Sequence, residues 1–178
     1  MSVMYTKADQ ETLEMISEVM NQYHGGLRDS EVTVQCLMAS AAVDANGDSL
    51  GHAIMAGGYP ALATVRIIPI KQRAAGFADA EIILDADNWE VSSERERRAL
   101  IDHELHHLML KVDEKGHAIR DDQGRPKFTM RKHDIQVGWF NLIANRHGEA
   151  SVEVRQFREM MDSSEFKQCY FAGMEPVY

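Results

Sequence analysis

Leu100-Ile101-Asp102-His103-Glu104-Leu105-His106-His107-Leu108-Met109 is the stretch from which fold and chemistry are both read. It contains His-Glu-x-x-His. Upstream, Ser93 followed three residues later by Glu96 has the form of a capping box, and the spacing predicts a helix over residues 93–112. Residues four apart on a helix stand one above the other, so His103 and His107 present two imidazoles to one point. Glu104, one residue along, is near enough to act on water at that point and too misaligned to be an easy third ligand. That division of labour, two nitrogen ligands and a carboxylate base, is what a zinc hydrolase needs. Ile101, Leu105, Leu108 and Val112 form an apolar stripe, and Leu100 and Leu110 flank the histidines. The helix is therefore expected to be packed on both sides, with the imidazoles facing inward. Inward-facing rings need partners, and a metal ion supplies one to both. His106 is expected to be a neighbour in the wall or a hydrogen-bond partner, because pairing it with His103 would take Glu104 out of relation to the metal.

Outward from this helix, the N-terminal thirty residues read as a helix over 7–23, with Leu13, Ile16, Val19 and Met20 at helical spacing and His24-Gly25-Gly26 as its stop. Val32, Val34, Cys36 and Met38 alternate as in a strand. Two more strand candidates follow, Ala63 to Ile68 before Pro69, and Asp79 to Asp85. After the central helix a hairpin is expected, with residues 117–120 and 127–130 flanking the turn Asp121-Asp122-Gln123-Gly124. Residues 134–145 and 149–162 read as closing helices, with Gly148 placed to end the first. The fold class is α+β: a small, twisted, mostly antiparallel sheet on a central helix, with further helices at both ends.

The length of 178 residues fits one domain with a core of its own, so a metal is expected to be there for chemistry and not as a staple. The net charge of −9 makes the chain as a whole a poor match for a polyanion. The one local exception is the basic run Arg120, Arg125, Lys127, Arg131 and Lys132, which reads first as a solvated hairpin face. Cys36 and Cys169 stand outside any CxxC pairing and read as reduced, buried thiols, which fits a cytoplasmic protein. The acidic N-terminus does not read as a signal peptide, and no run is long enough to span a membrane.

A catalytic zinc takes three protein ligands and keeps one position open. His117, His133, His147, Glu149 and Glu153 are the candidates for the third. His133 lies in Arg131-Lys132-His133-Asp134, between the hairpin and a helix, where a loop residue can be aimed at a neighbouring helix. His117 sits among charged turn residues, and His147 stands at a helix end where a cation suits the dipole. Candidate donors to a developing oxyanion are Tyr170, Arg131, Lys132 and His106.

Three segments together resemble the family of putative phage metallopeptidases. They are Asp79-Ala80-Glu81-Ile82 with Trp89, then Arg98 through His107, then Arg131-Lys132-His133-Asp134. The resemblance covers the middle and C-terminal two thirds of the chain. It implies a minimal-zincin-like domain, distantly similar to SprT-like peptidases, with His103, His107 and His133 as zinc ligands and Glu104 as the catalytic residue. The expected activity is zinc-dependent cleavage of peptide bonds in a protein or peptide, in the host cytoplasm if the chain is phage-encoded. Two other readings are a zinc amidohydrolase acting on a non-peptide amide and a phage-encoded, metal-binding inhibitor with vestigial catalysis.

Overall fold

The structure, a computed structural model, describes residues 3–47, 49–133 and 141–162. The chain divides into two compact units, residues 1–132 and 133–178. The first begins with strand β1 (Met4–Lys7), helix α1 (Gln10–Tyr23) and the short helix α2 (Gly25–Asp29). The N-terminal thirty residues are therefore a strand and two helices, not one helix. Asp9 caps α1, its side chain accepting from the Thr12 N–H at 2.8 Å. That cap excludes Lys7 and Ala8 from the helix and leaves β1 free to pair with the sheet.

Next come β2 (Val34–Ser40), the two-residue strands β3 (Met55–Ala56) and β4 (Tyr59–Pro60), and β5 (Ala63–Ile67). Helix α3 (Ile70–Ala74) leads to β6 (Ala80–Asp85). The main sheet has the order β1-β2-β6-β5. β1 and β5 are antiparallel to their neighbours, whereas β2 and β6 run parallel with Cys36 opposite Ile82. The sheet is thus mixed, since residues 41–79 carry the chain across before β6 enters the centre.

Helix α4 (Ala86–Val91) and the central helix α5 (Glu94–His106) follow. The capping box is present in both directions: Ser93 accepts from the Glu96 N–H, and the Glu96 carboxylate accepts from the Ser93 N–H at 2.8 Å. Met15, Ile16 and Val19 of α1 pack with Ile101 and Leu105 of α5 and with Cys36, Val65, Ile82 and Leu84 of the sheet in one core. Ile82, Leu84, Ile101 and Leu105 are fully buried. Cys36 lies in the same core, and burial pushes its thiol up to about 12. A smaller cluster of Ala39, Ala53 and Ile54 lies with Ile83 around the other side of the strands.

The helix ends at His106, not near residue 112. His107 is its C-cap, and the chain continues directly as β7 (Leu108–Leu110). β7 pairs antiparallel with β8 (Phe128–Met130), in the register Leu108 to Met130. Leu108 and Leu110 satisfy a strand's alternation as well as a helix's period, and the pairing with β8 decides between them. Val112, expected in the apolar stripe, is 53% exposed. The predicted hairpin is present at its turn, where Gly124 (φ +77°) follows Gln123 and Arg120 bridges Pro126. Residues 128–130 do not pair with 117–120, however; β7 is their partner.

Of the basic run, Arg120, Lys127, Arg131 and Lys132 are exposed, as expected of a solvated face, and Arg125 is the exception. Arg125 donates to Asp79 at 2.9 Å and to the Arg73 carbonyl at 2.8 Å, while Arg73 bonds Asp79 at 3.0 Å and the Pro126 carbonyl at 3.1 Å. These bonds hold the segment 121–126 to α3 and to the start of β6.

In the second unit, the described elements are α6 (Asn141–His147), a 3-10 turn over Gly148–Ala150, and α7 (Val152–Asp162). Gly148 adopts φ +51°, the left-handed conformation expected where the first of these helices stops. The Ser151 hydroxyl accepts from the Val154 N–H at 3.2 Å, which caps α7. Asp134, Cys169 and Tyr170 lie outside the described residues. Among the described residues no helix is long and apolar enough to cross a membrane.

Candidate metal centre

His103 is on the last full turn of α5 and His107 caps the helix, four residues on. Their rings meet edge to face with centroids 4.9 Å apart, and their Nε2 atoms lie 3.3 Å apart. His133, two residues beyond Arg131, completes a group: one ligand atom from each of the three histidines lies within 4.8 Å of the others. His103 and His133 are exposed and His107 is half-buried. The imidazoles therefore do not face inward between leucines. α5 stops at residue 106, Leu108 turns into the core as part of a strand, and the histidine edge is left open to solvent.

The tautomer of His107 follows from its partner. Its Nδ1 lies 2.8 Å from the Arg131 carbonyl oxygen, which only accepts, so Nδ1 carries the proton. In the neutral ring Nε2 is then unprotonated and directed at His103. Two nitrogens each about 2.0–2.1 Å from a tetrahedral zinc stand about 3.3–3.4 Å apart, and the observed separation matches. A donor set of three imidazoles suits zinc and other borderline metals better than hard cations such as calcium or magnesium. The residues present fit a catalytic metal with an open position.

Glu104 lies close enough to His107 to feel its charge. It is 5% exposed, and its carboxylate accepts a hydrogen bond from the Val65 N–H of β5, at the edge of the sheet. Burial raises its pKa to about 7, against the opposing effects of His107 and the Val65 N–H. A carboxyl that titrates near neutrality can both take up and give back a proton.

A family model describing putative phage metallopeptidases matches residues 3–164. The chain belongs to that family. The match reaches through the first thirty residues, where the motifs quoted above gave no sign of it. No curated protein and no solved structure matches this metallopeptidase-family chain.

The other candidate ligands take different positions. His117 pairs with Asp113 at 3.5 Å with 76% of its side chain exposed, and the Glu149 carboxylate bonds Arg158. Among the described residues neither of these, nor His147, joins the group of three. His106 Nε2 lies 2.6 Å from Arg131 Nη1 and must accept from it, since a guanidinium only donates. The contacts that escaped the sequence reading include two on α5. One is the Val65 N–H on Glu104, for which a backbone donor leaves no sequence signal. The other is the 2.7 Å pair of His24 and Asp102, separated by 78 positions.

Proposed function

We propose that the chain is a zinc-dependent peptidase in which His103, His107 and His133 hold the metal and Glu104 is the catalytic acid–base. The observation that carries this reading is the convergence of the three histidines in a chain of the metallopeptidase family. Bound at these nitrogens, zinc supplies Lewis acidity and brings the pKa of a water toward about 7.

The protein's own residues supply the rest. Glu104, tethered to Val65, takes the proton from the attacking water and returns it to the leaving amine. The His107 Nδ1–H to Arg131 carbonyl bond fixes the ring so that Nε2 faces the metal position. β5 ends the main sheet, and an extended peptide added along that edge would run past the residue that anchors Glu104. An exposed histidine edge suits a large substrate better than a closed pocket would. Kinship with the wider minimal zincins and a cytoplasmic location belong to the same reading.

Glu104→Gln tests it. The variant keeps the carboxylate's size and should bind zinc as wild type does, while peptide hydrolysis falls by about 10²–10⁴-fold, the usual contribution of a general base. Full activity in Glu104→Gln would remove Glu104 from the mechanism.

A further inference from the structure

The C-terminal end of a helix leaves carbonyls without intrahelical partners, and the dipole there favours a cation. Arg131 meets both conditions at the end of α5. Its backbone N–H donates to the His107 carbonyl at 2.8 Å, and its own carbonyl accepts from His107 Nδ1 at 2.8 Å. Its guanidinium turns back along the helix and donates to His106 Nε2 at 2.6 Å. One residue thus bonds two successive histidines by three routes. Only one of those routes runs through the Arg131 side chain.

We infer that Arg131 and His106 form a clamp that positions the metal site: the side-chain bond between them pins residue 131 on the helix end, so that the Arg131 carbonyl orients His107. The inference rests on the proposed metal site and adds two positioning residues to it, neither of which is a ligand. The guanidinium is geometrically specific, because a planar fork aimed at a ring nitrogen fixes direction as well as distance. With that bond lost, the carbonyl of residue 131 would be held only by the backbone pair at the start of a chain segment, and His107 could rotate about its side-chain bonds.

The test is zinc affinity by competition with a chromophoric chelator, measured beside the thermal stability of the metal-free protein. Arg131→Met and His106→Leu should each weaken zinc binding by about 10–100-fold, the usual cost of losing a group that orients a ligand. The melting temperature of the metal-free protein should change little, because His106 and Arg131 are both exposed. His106→Gln, whose side-chain oxygen can accept from the guanidinium, should keep most of the affinity. The double variant should be no weaker than either single variant, since both remove one bond. Tight zinc binding by wild type together with unchanged affinity in Arg131→Met and His106→Leu would overturn the clamp and leave the metal site standing. Absence of zinc binding in wild type would overturn both. Equal losses in His106→Gln and His106→Leu would show that the ring, not the bond to Arg131, matters, and would also overturn the clamp.

Discussion

Around Asp79 the charges are sealed from water: Arg73 and Asp79 expose 6% and 2% of their side chains, and Arg125 lies across them. Around His103 the polar groups stand at an open edge, with two ring nitrogens 3.3 Å apart. Both clusters tie distant parts of the chain together. In the first, nearly every polar atom answers another: Asp79 accepts from Arg73, Arg125 and both donors of Thr33, with only the Arg73 Nε left over. In the second, the Arg131 carbonyl takes the back of the His107 ring, and one nitrogen of each of the three histidines lies within 4.8 Å of the others. A cluster that exists for stability closes its own hydrogen bonds, whereas one built to receive a ligand directs them at the ligand's place.

This contrast can be broken from either side. Removing the carboxylate in Asp79→Ala leaves buried Arg73 with Asp121, at 3.5 Å, as its remaining carboxylate and should cost about 3–5 kcal/mol in urea denaturation. A loss under about 1 kcal/mol would show that the sealed cluster is not what holds residues 121–126 to the sheet.

The rim of the same cluster should respond to pH. Backbone N–H groups of Arg125 and Gln123 hold the Asp121 carboxyl below its ordinary 3.8. Its folded value is depressed, so its contribution is present above the ordinary value and is lost as pH falls through the folded one. Stability should drop below about pH 4, and Asp121→Asn should make that acid slope shallower. An unchanged slope would assign the acid loss to other carboxyls.

The smallest stability effect is expected at the open edge. His103→Ala in the metal-free protein should shift stability by less than about 0.5 kcal/mol, because the ring is exposed. A large loss would mean that His103 is structural, and the contrast between the two clusters would fail.

The sequence was most informative where a local pattern and a tertiary need agreed. Ser93 and Glu96 predicted the start of α5, and the structure contains both halves of that cap. His103 and His107 were paired by spacing alone, and their rings do meet. The end of the helix was misread because Leu108 and Leu110 suit either period, and the deciding partner lies in residues 128–130. β1 was missed because four exposed residues, Met4 to Lys7, carry no burial pattern, and only their pairing with residues 37–40 makes them a strand. Arg125 looked like one more solvated cation. Its role depends on Asp79, 46 positions away, and no local rule reaches that far.

The most direct test of the central claim is metal content by mass spectrometry on purified wild type beside His103→Ala, His107→Ala and His133→Ala. The account predicts about one zinc per chain in wild type, the stoichiometry of a single three-histidine site, and its loss in each variant. A wild-type protein that folds normally, is isolated without metal and stays empty after zinc is added would contradict it.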